Sequence, residues 1–120
     1  MPRSSLAGIR KDLLKAARRR ATVTYGQLMR RHGLSRGRPL TNAIGGVDRL
    51  EAARGAPGFA ALVVRKDTGF PGGGYFCDDE LPPHLRRPKK RGTDPRLSPA
   101  ERDYILKQQL KIWEFYARAR

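Results

Sequence analysis

Cys77, Asp78, Asp79, Glu80 and His84 form the densest group of potential ligands and bases in this chain. Neighbouring carboxylates can hold divalent metal for phosphodiester hydrolysis. The spacing contains no CxxC pair and no HExxH helix, however, and a solvated acidic loop accounts for it better. Gly72-Gly73-Gly74 lacks the Lys-Ser/Thr of a phosphate-binding loop, which leaves a tip where backbone can approach phosphate closely. No serine has a fitting His and Asp companion set, so no catalysis, metal or cofactor is expected. The remaining chemistry is that of arginine and lysine. The chain carries 26 of them against 11 acids, a net charge of +15. A compact chain so charged repels itself unless a polyanion neutralises it. Nucleic acid is the commonest such partner, ahead of an anionic membrane or an acidic protein surface. The excess of Arg over Lys favours forked contacts with phosphate.

The charge is unevenly spread. Residues 1–46 hold eleven cations against one acid, Asp12, for +10, and residues 47–82 come to −2. Residues 83–97 contribute +5 and residues 98–120 contribute +2. Two basic blocks therefore flank a nearly neutral middle. A chain of 120 residues has room for one modest core and an appended helix. Its single cysteine excludes an internal disulfide and fits a reducing, cytoplasmic setting, nucleoid-associated if the polyanion is DNA. No apolar run is long enough to span a membrane, and the basic N-terminus lacks the apolar stretch of a secretory signal.

The elements that must position these cations can be read from spacing. Ser4 or Ser5 can cap a first helix in which Leu6, Ile9, Leu13, Ala16 and Ala17 recur on one face. Arg18, Arg19 and Arg20 close it, where cations complement the helix dipole as well as offering phosphate contacts. Thr24 and Gln27 make a capping box for a second helix that ends at His32 before Gly33. Leu28 and Met29 face inward there, leaving Arg30, Arg31 and His32 exposed. A third helix starts at Arg38-Pro39. Gly45-Gly46 is expected to break or kink it, leaving Val47 to Arg54 as a short fourth helix. Phe59 to Arg65 reads as a strand, Lys66 to Gly69 as a turn, and Tyr75 to Cys77 as a returning strand.

The predicted fold is mainly α with a small β-hairpin. Residues 1–77 form a winged helix-turn-helix, residues 78–97 a basic linker, and residues 98–120 a C-terminal amphipathic helix. The linker holds Pro82, Pro83, Pro88 and Pro95 among Arg86, Arg87, Lys89, Lys90 and Arg91, a flexible composition. Ser98, Pro99 and Glu101 start the last helix. Its apolar side chains, Trp113, Phe115 and Tyr116 among them, must pack somewhere. They either complete the domain's own core or dock on a partner protein, and they could also stack on bases.

Three segments in order resemble a known family. Thr24-Tyr25-Gly26-Gln27-Leu28, Asn42-Ala43-Ile44-Gly45-Gly46, and Leu62-Val63-Val64 through Gly72-Gly73-Gly74-Tyr75 are similar to the C-terminal domain of alkylguanine DNA alkyltransferases and alkyltransferase-like proteins. The resemblance covers about residues 21–77. It implies a DNA-binding winged helix in which Tyr25 touches the DNA backbone. It also implies that no alkyl transfer occurs, because Ala60 stands at the acceptor-cysteine position and Cys77 lies beyond the wing. Asn42 stands where the family carries an intercalating arginine, which removes the family's means of flipping a base.

Together these readings point to a non-catalytic nucleic-acid-binding protein, acting on DNA rather than RNA. Arg30, Arg31, Arg36 and Arg38 would hold phosphate and Thr41 or Asn42 would meet base edges. An adaptor subunit or an inhibitor in a nucleoprotein complex, docked through the last helix, is the alternative. A metal nuclease using Asp78-Asp79-Glu80 is a further rival.

Overall fold

The computed structural model describes residues 6–78, 81–88 and 96–118. Its helices are α1 (Leu6–Arg18), α2 (Tyr25–His32), α3 (Arg38–Ala53) and α4 (Pro99–Arg118), with strands β1 (Val23–Thr24) and β2 (Val63–Val64). Ser4, Ser5, Asp79, Glu80, Lys89, Lys90, Arg91 and Pro95 lie outside the described residues.

α1 buries the four residues its periodicity selects, Ile9, Leu13, Ala16 and Ala17, against α3 and α4. α2 begins on the expected capping box: Thr24 Oγ1 accepts from the Gln27 N–H and the Gln27 side chain accepts from the Thr24 N–H. Gly33 ends it in the left-handed conformation, at φ 60°. The expected break in α3 does not occur, and the helix runs unbroken for 16 residues. Glycine costs a helix about 1 kcal/mol at each position, but packing recovers it here. A Cβ on Gly46 would lie 3.1 Å from Leu6 Cδ1, so its bare backbone is what lets α1 approach.

The expected hairpin is replaced by a parallel pair. Val23 lies opposite Val63 and Thr24 opposite Val64, so β2 pairs with the segment before α2. The chain does turn back after β2: the Gly69 N–H donates to Arg65 O and the Arg65 N–H to Phe70 O. The ladder stops there because Pro71 has no N–H, and the next one, on Gly72, donates to Tyr25 Oη at 3.0 Å. Tyr75 to Cys77, read as a returning strand, belongs to a 3-10 helix over Gly73–Cys77. The first part of the other predicted strand, Ala60–Leu62, is likewise a 3-10 turn.

The last helix packs on its own domain. Ile112 and Tyr116 join the main core, and Ile105 joins a second cluster with Phe76, Leu81 and Leu85. Gln109 Nε2 donates to Ala61 O at 3.0 Å, and Trp113 Nε1 donates to Ala21 O at 3.0 Å. The stretch expected as a free linker contributes to this packing. Leu81 and Leu85 are buried, and Arg87 holds Glu101 through two nitrogens at 2.7 and 2.8 Å while lying over the Phe76 ring. The sequence conceals this because two leucines among prolines and cations show no periodicity.

Candidate nucleic-acid interface

Because α3 is continuous, its solvent side can be followed along its whole length. At about 100° per residue, Arg38, Asn42, Gly45 and Arg49 share one face, with Thr41 beside them. Arg38, Thr41, Asn42 and Arg49 are all exposed. The Arg49 guanidinium lies across Gly45, 3.5 Å from where a Cβ would be. The result is a helix face of two arginines, an asparagine and a threonine, with no bulky apolar side chain between them. Arg49 is a residue of this exposed face that the sequence reading did not single out. Its signal, an 11-residue step from Arg38, was cut by the helix break assigned at Gly45-Gly46.

Beside this face lies an open cleft of about 1300 Å³. The starts of α2 and α3, the Ala60–Leu62 turn, Gly72 to Tyr75, and Tyr104, Gln108 and Ile112 of α4 enclose it. Arg30, Arg36, Arg65 and Lys66 supply its cations. Arg65 is paired within its own turn to Asp67 at 2.6 Å, while Arg30, Arg36 and Lys66 are exposed. Arg65 and Lys66 are further cleft residues absent from the expected contacts, since Arg65 was read only as the end of a strand and Lys66 only as part of a turn. Tyr25 stands half-buried at the wall. Burial holds its hydroxyl protonated to higher pH than usual, and since its oxygen accepts from Gly72 the proton can donate into the cleft. Ala60 lines the floor, so no nucleophile stands there. Cys77 is elsewhere, with Sγ 3.9 Å from Pro88 O.

Asp48 fixes the floor. Its Oδ1 accepts from the Phe59 N–H at 2.6 Å, and burial raises its pKa above the usual carboxylate range against the pull of that bond. Gly58 makes room for it, because a Cβ there would fall 2.3 Å from Asp48 Cγ. Gly58→Ala is therefore expected to push Asp48 off Phe59 and to cost about 2 kcal/mol. A lowered urea midpoint with an unchanged slope would show it.

The other expected contacts divide sharply. Arg31 is exposed but lies 3.2 Å from Asp12. His32, expected exposed, is only 13% so and holds the same carboxylate at 2.7 Å. Asp12 is the sole acid of the basic block, and Arg31 and His32 both converge on it. Arg18, Arg19 and Arg20 are exposed at the end of α1 and do not line the cleft. Arg86 is exposed although its Nε donates to Leu81 O, whereas Arg87 is taken up by Glu101. Of the three aromatic side chains expected for docking, only Phe115 is exposed, at 39%. Trp113 is bonded to Ala21, and Tyr116 is buried with its hydroxyl 2.9 Å from Glu51 Oε1 and 2.8 Å from Pro57 O. No described helix is long and apolar enough to cross a membrane. No protein-family model, no curated protein and no solved structure matches this chain.

Proposed function

We propose that this chain is a non-catalytic DNA-binding protein in which α2 and α3 act as a helix-turn-helix and residues 65–77 take the place of a wing. The observation that carries the reading is the outward face of α3, with Arg38, Asn42 and Arg49 in line and Thr41 beside them. Arginine and asparagine are the side chains that pair with guanine and adenine edges, and a helix fits the major groove of B-form DNA. The deep, narrow major groove of A-form RNA does not admit one. Arg30, Arg36 and Lys66 rim the neighbouring cleft and are suited to flanking phosphates. Ala60 at the cleft floor supports binding without alkyl transfer, in line with the alkyltransferase-like resemblance. A cytoplasmic, nucleoid-associated protein is the setting this reading implies.

Binding measured against matched double-stranded DNA, single-stranded DNA and RNA across a salt series tests the proposal. With six to eight cations on phosphate, log affinity should fall against log salt with a slope of roughly −5 to −7, and duplex DNA should bind most tightly. Weak, shallow binding to all three would overturn it. That outcome would favour the adaptor alternative, for which Leu106 and Leu110, 53% and 47% exposed on α4, are the available apolar face.

A further inference from the structure

The outward side chains of α3 differ from other arginines of the domain in having nothing to hold. Arg10, Arg31, Arg65 and Arg87 are each tied to a carboxylate. Among the described residues, no hydrogen bond or ion pair engages the exposed side chains of Arg38, Asn42 and Arg49. The acids of α3 are occupied elsewhere: Asp48 accepts from the Phe59 N–H, and Glu51 is bound to Arg10 and Tyr116. The face therefore offers two donor-only guanidiniums and one amide that both donates and accepts. In the major groove, guanine presents two acceptors, and adenine an acceptor beside a donor.

Spacing turns this chemistry into an order. An α-helix rises 1.5 Å per residue, so Asn42 stands about 6 Å beyond Arg38. Arg49 starts too far along the helix to share the same bases, but its Nη1 lies 3.5 Å from where a Cβ of Gly45 would be. The guanidinium is thus folded back to the level of Gly45, about 4.5 Å beyond Asn42. A side chain longer than that of alanine at position 45 would stand in its path. The three polar heads span about 10 Å along the helix, while base pairs are stacked about 3.4 Å apart. An asparagine between two arginines then covers a run of about four base pairs. A recognition helix meets base edges with its N-terminal residues, and the folded Arg49 brings a third group up to that end.

We infer that α3 reads sequence, Asn42 pairing with an adenine and Arg38 and Arg49 with guanines within about two base pairs on either side of it. This rests on the reading of α3 as the DNA-facing helix, and it names the class of duplex that the helix selects. The test is selection from a randomised duplex pool, followed by anisotropy on the selected duplex and its single-base variants at one salt concentration. Selected sites should share an adenine flanked by guanines, and replacing that adenine should weaken wild-type binding about tenfold. Asn42→Ala should bind the selected duplex about tenfold more weakly and lose discrimination at the adenine, while keeping the guanine preference and the wild-type salt slope. Asn42 is exposed and alanine favours a helix, so circular dichroism should show the variant folded. Equal, steeply salt-dependent affinity for every duplex would overturn the inference and leave DNA binding itself standing, with the α3 side chains on phosphates. A variant that still discriminates at the adenine would overturn it too. Failure to bind any duplex would overturn the α3 reading, and the base order with it.

Discussion

Arg38→Glu combined with Arg49→Glu is expected to weaken duplex binding about a hundredfold at low salt and to flatten the salt dependence by about two. Both side chains are exposed on the same face of α3, so reversal removes two phosphate or base contacts and adds repulsion at the closest approach. Stability should stay within about 0.5 kcal/mol, because neither side chain is part of the core. A parallel charge reversal at Arg87 would be misleading. That arginine is bound to Glu101 and lies over Phe76, so its loss would act through folding. If the α3 double variant bound as tightly as the wild type with the same slope, α3 would not be the DNA-facing helix.

The largest expected loss of stability follows Glu51→Ala. Glu51 is 1% exposed and joins three helices: Arg10 of α1 donates to both its oxygens, at 2.7 and 3.1 Å, and Tyr116 of α4 approaches Oε1 at 2.9 Å. Removing the carboxylate leaves a half-buried guanidinium without its counter-charge, at a cost of about 3 kcal/mol. For a domain of this size that corresponds to a Tm lower by roughly 12 °C. Glu51→Gln keeps the shape and should cost about half as much.

The same network sets the acid limit of the fold. The Arg10 guanidinium holds the Glu51 carboxyl below the usual range, and the Arg87 guanidinium does so for Glu101. Their contribution is complete above the unfolded glutamate pKa near 4.5 and is lost as pH falls through the lower folded values. Asp48 acts in the opposite sense, since burial raises its pKa and protonation favours the folded state. Thermal melts from pH 6 down to pH 3 should show a steep acid loss in the wild type that Glu51→Gln makes shallower. An unchanged acid limb would show that the Arg10–Glu51 pair adds nothing to stability.

Where local chemistry decides the structure, the sequence was enough. The capping boxes at Thr24 and Ser98, the Gly33 stop and the buried face of α1 are all interactions within one turn or one helix period. Their residue types specify them without reference to the rest of the chain. Cations around the start of α3 and on α1 were legible for the same reason, since charge and periodicity are linear properties.

Contacts between distant segments were not legible. The α3 helix is unbroken because Leu6 comes within 3.1 Å of where a Gly46 Cβ would be, a contact across 40 positions of chain, and continuity alone brings Arg49 into line with Arg38. β2 pairs with β1 because Pro71 cannot extend a hairpin and Tyr25 takes the Gly72 N–H. Arg87 looked like a surface group by type, and Trp113 and Tyr116 could be read as core or as docking groups; Glu101, the Ala21 carbonyl and Glu51 draw all three into the fold. The sequence by itself determined which side chains could bind a polyanion. Tertiary packing decided which of them remain free to do so, because a buried carboxylate or carbonyl claims any donor that it can reach.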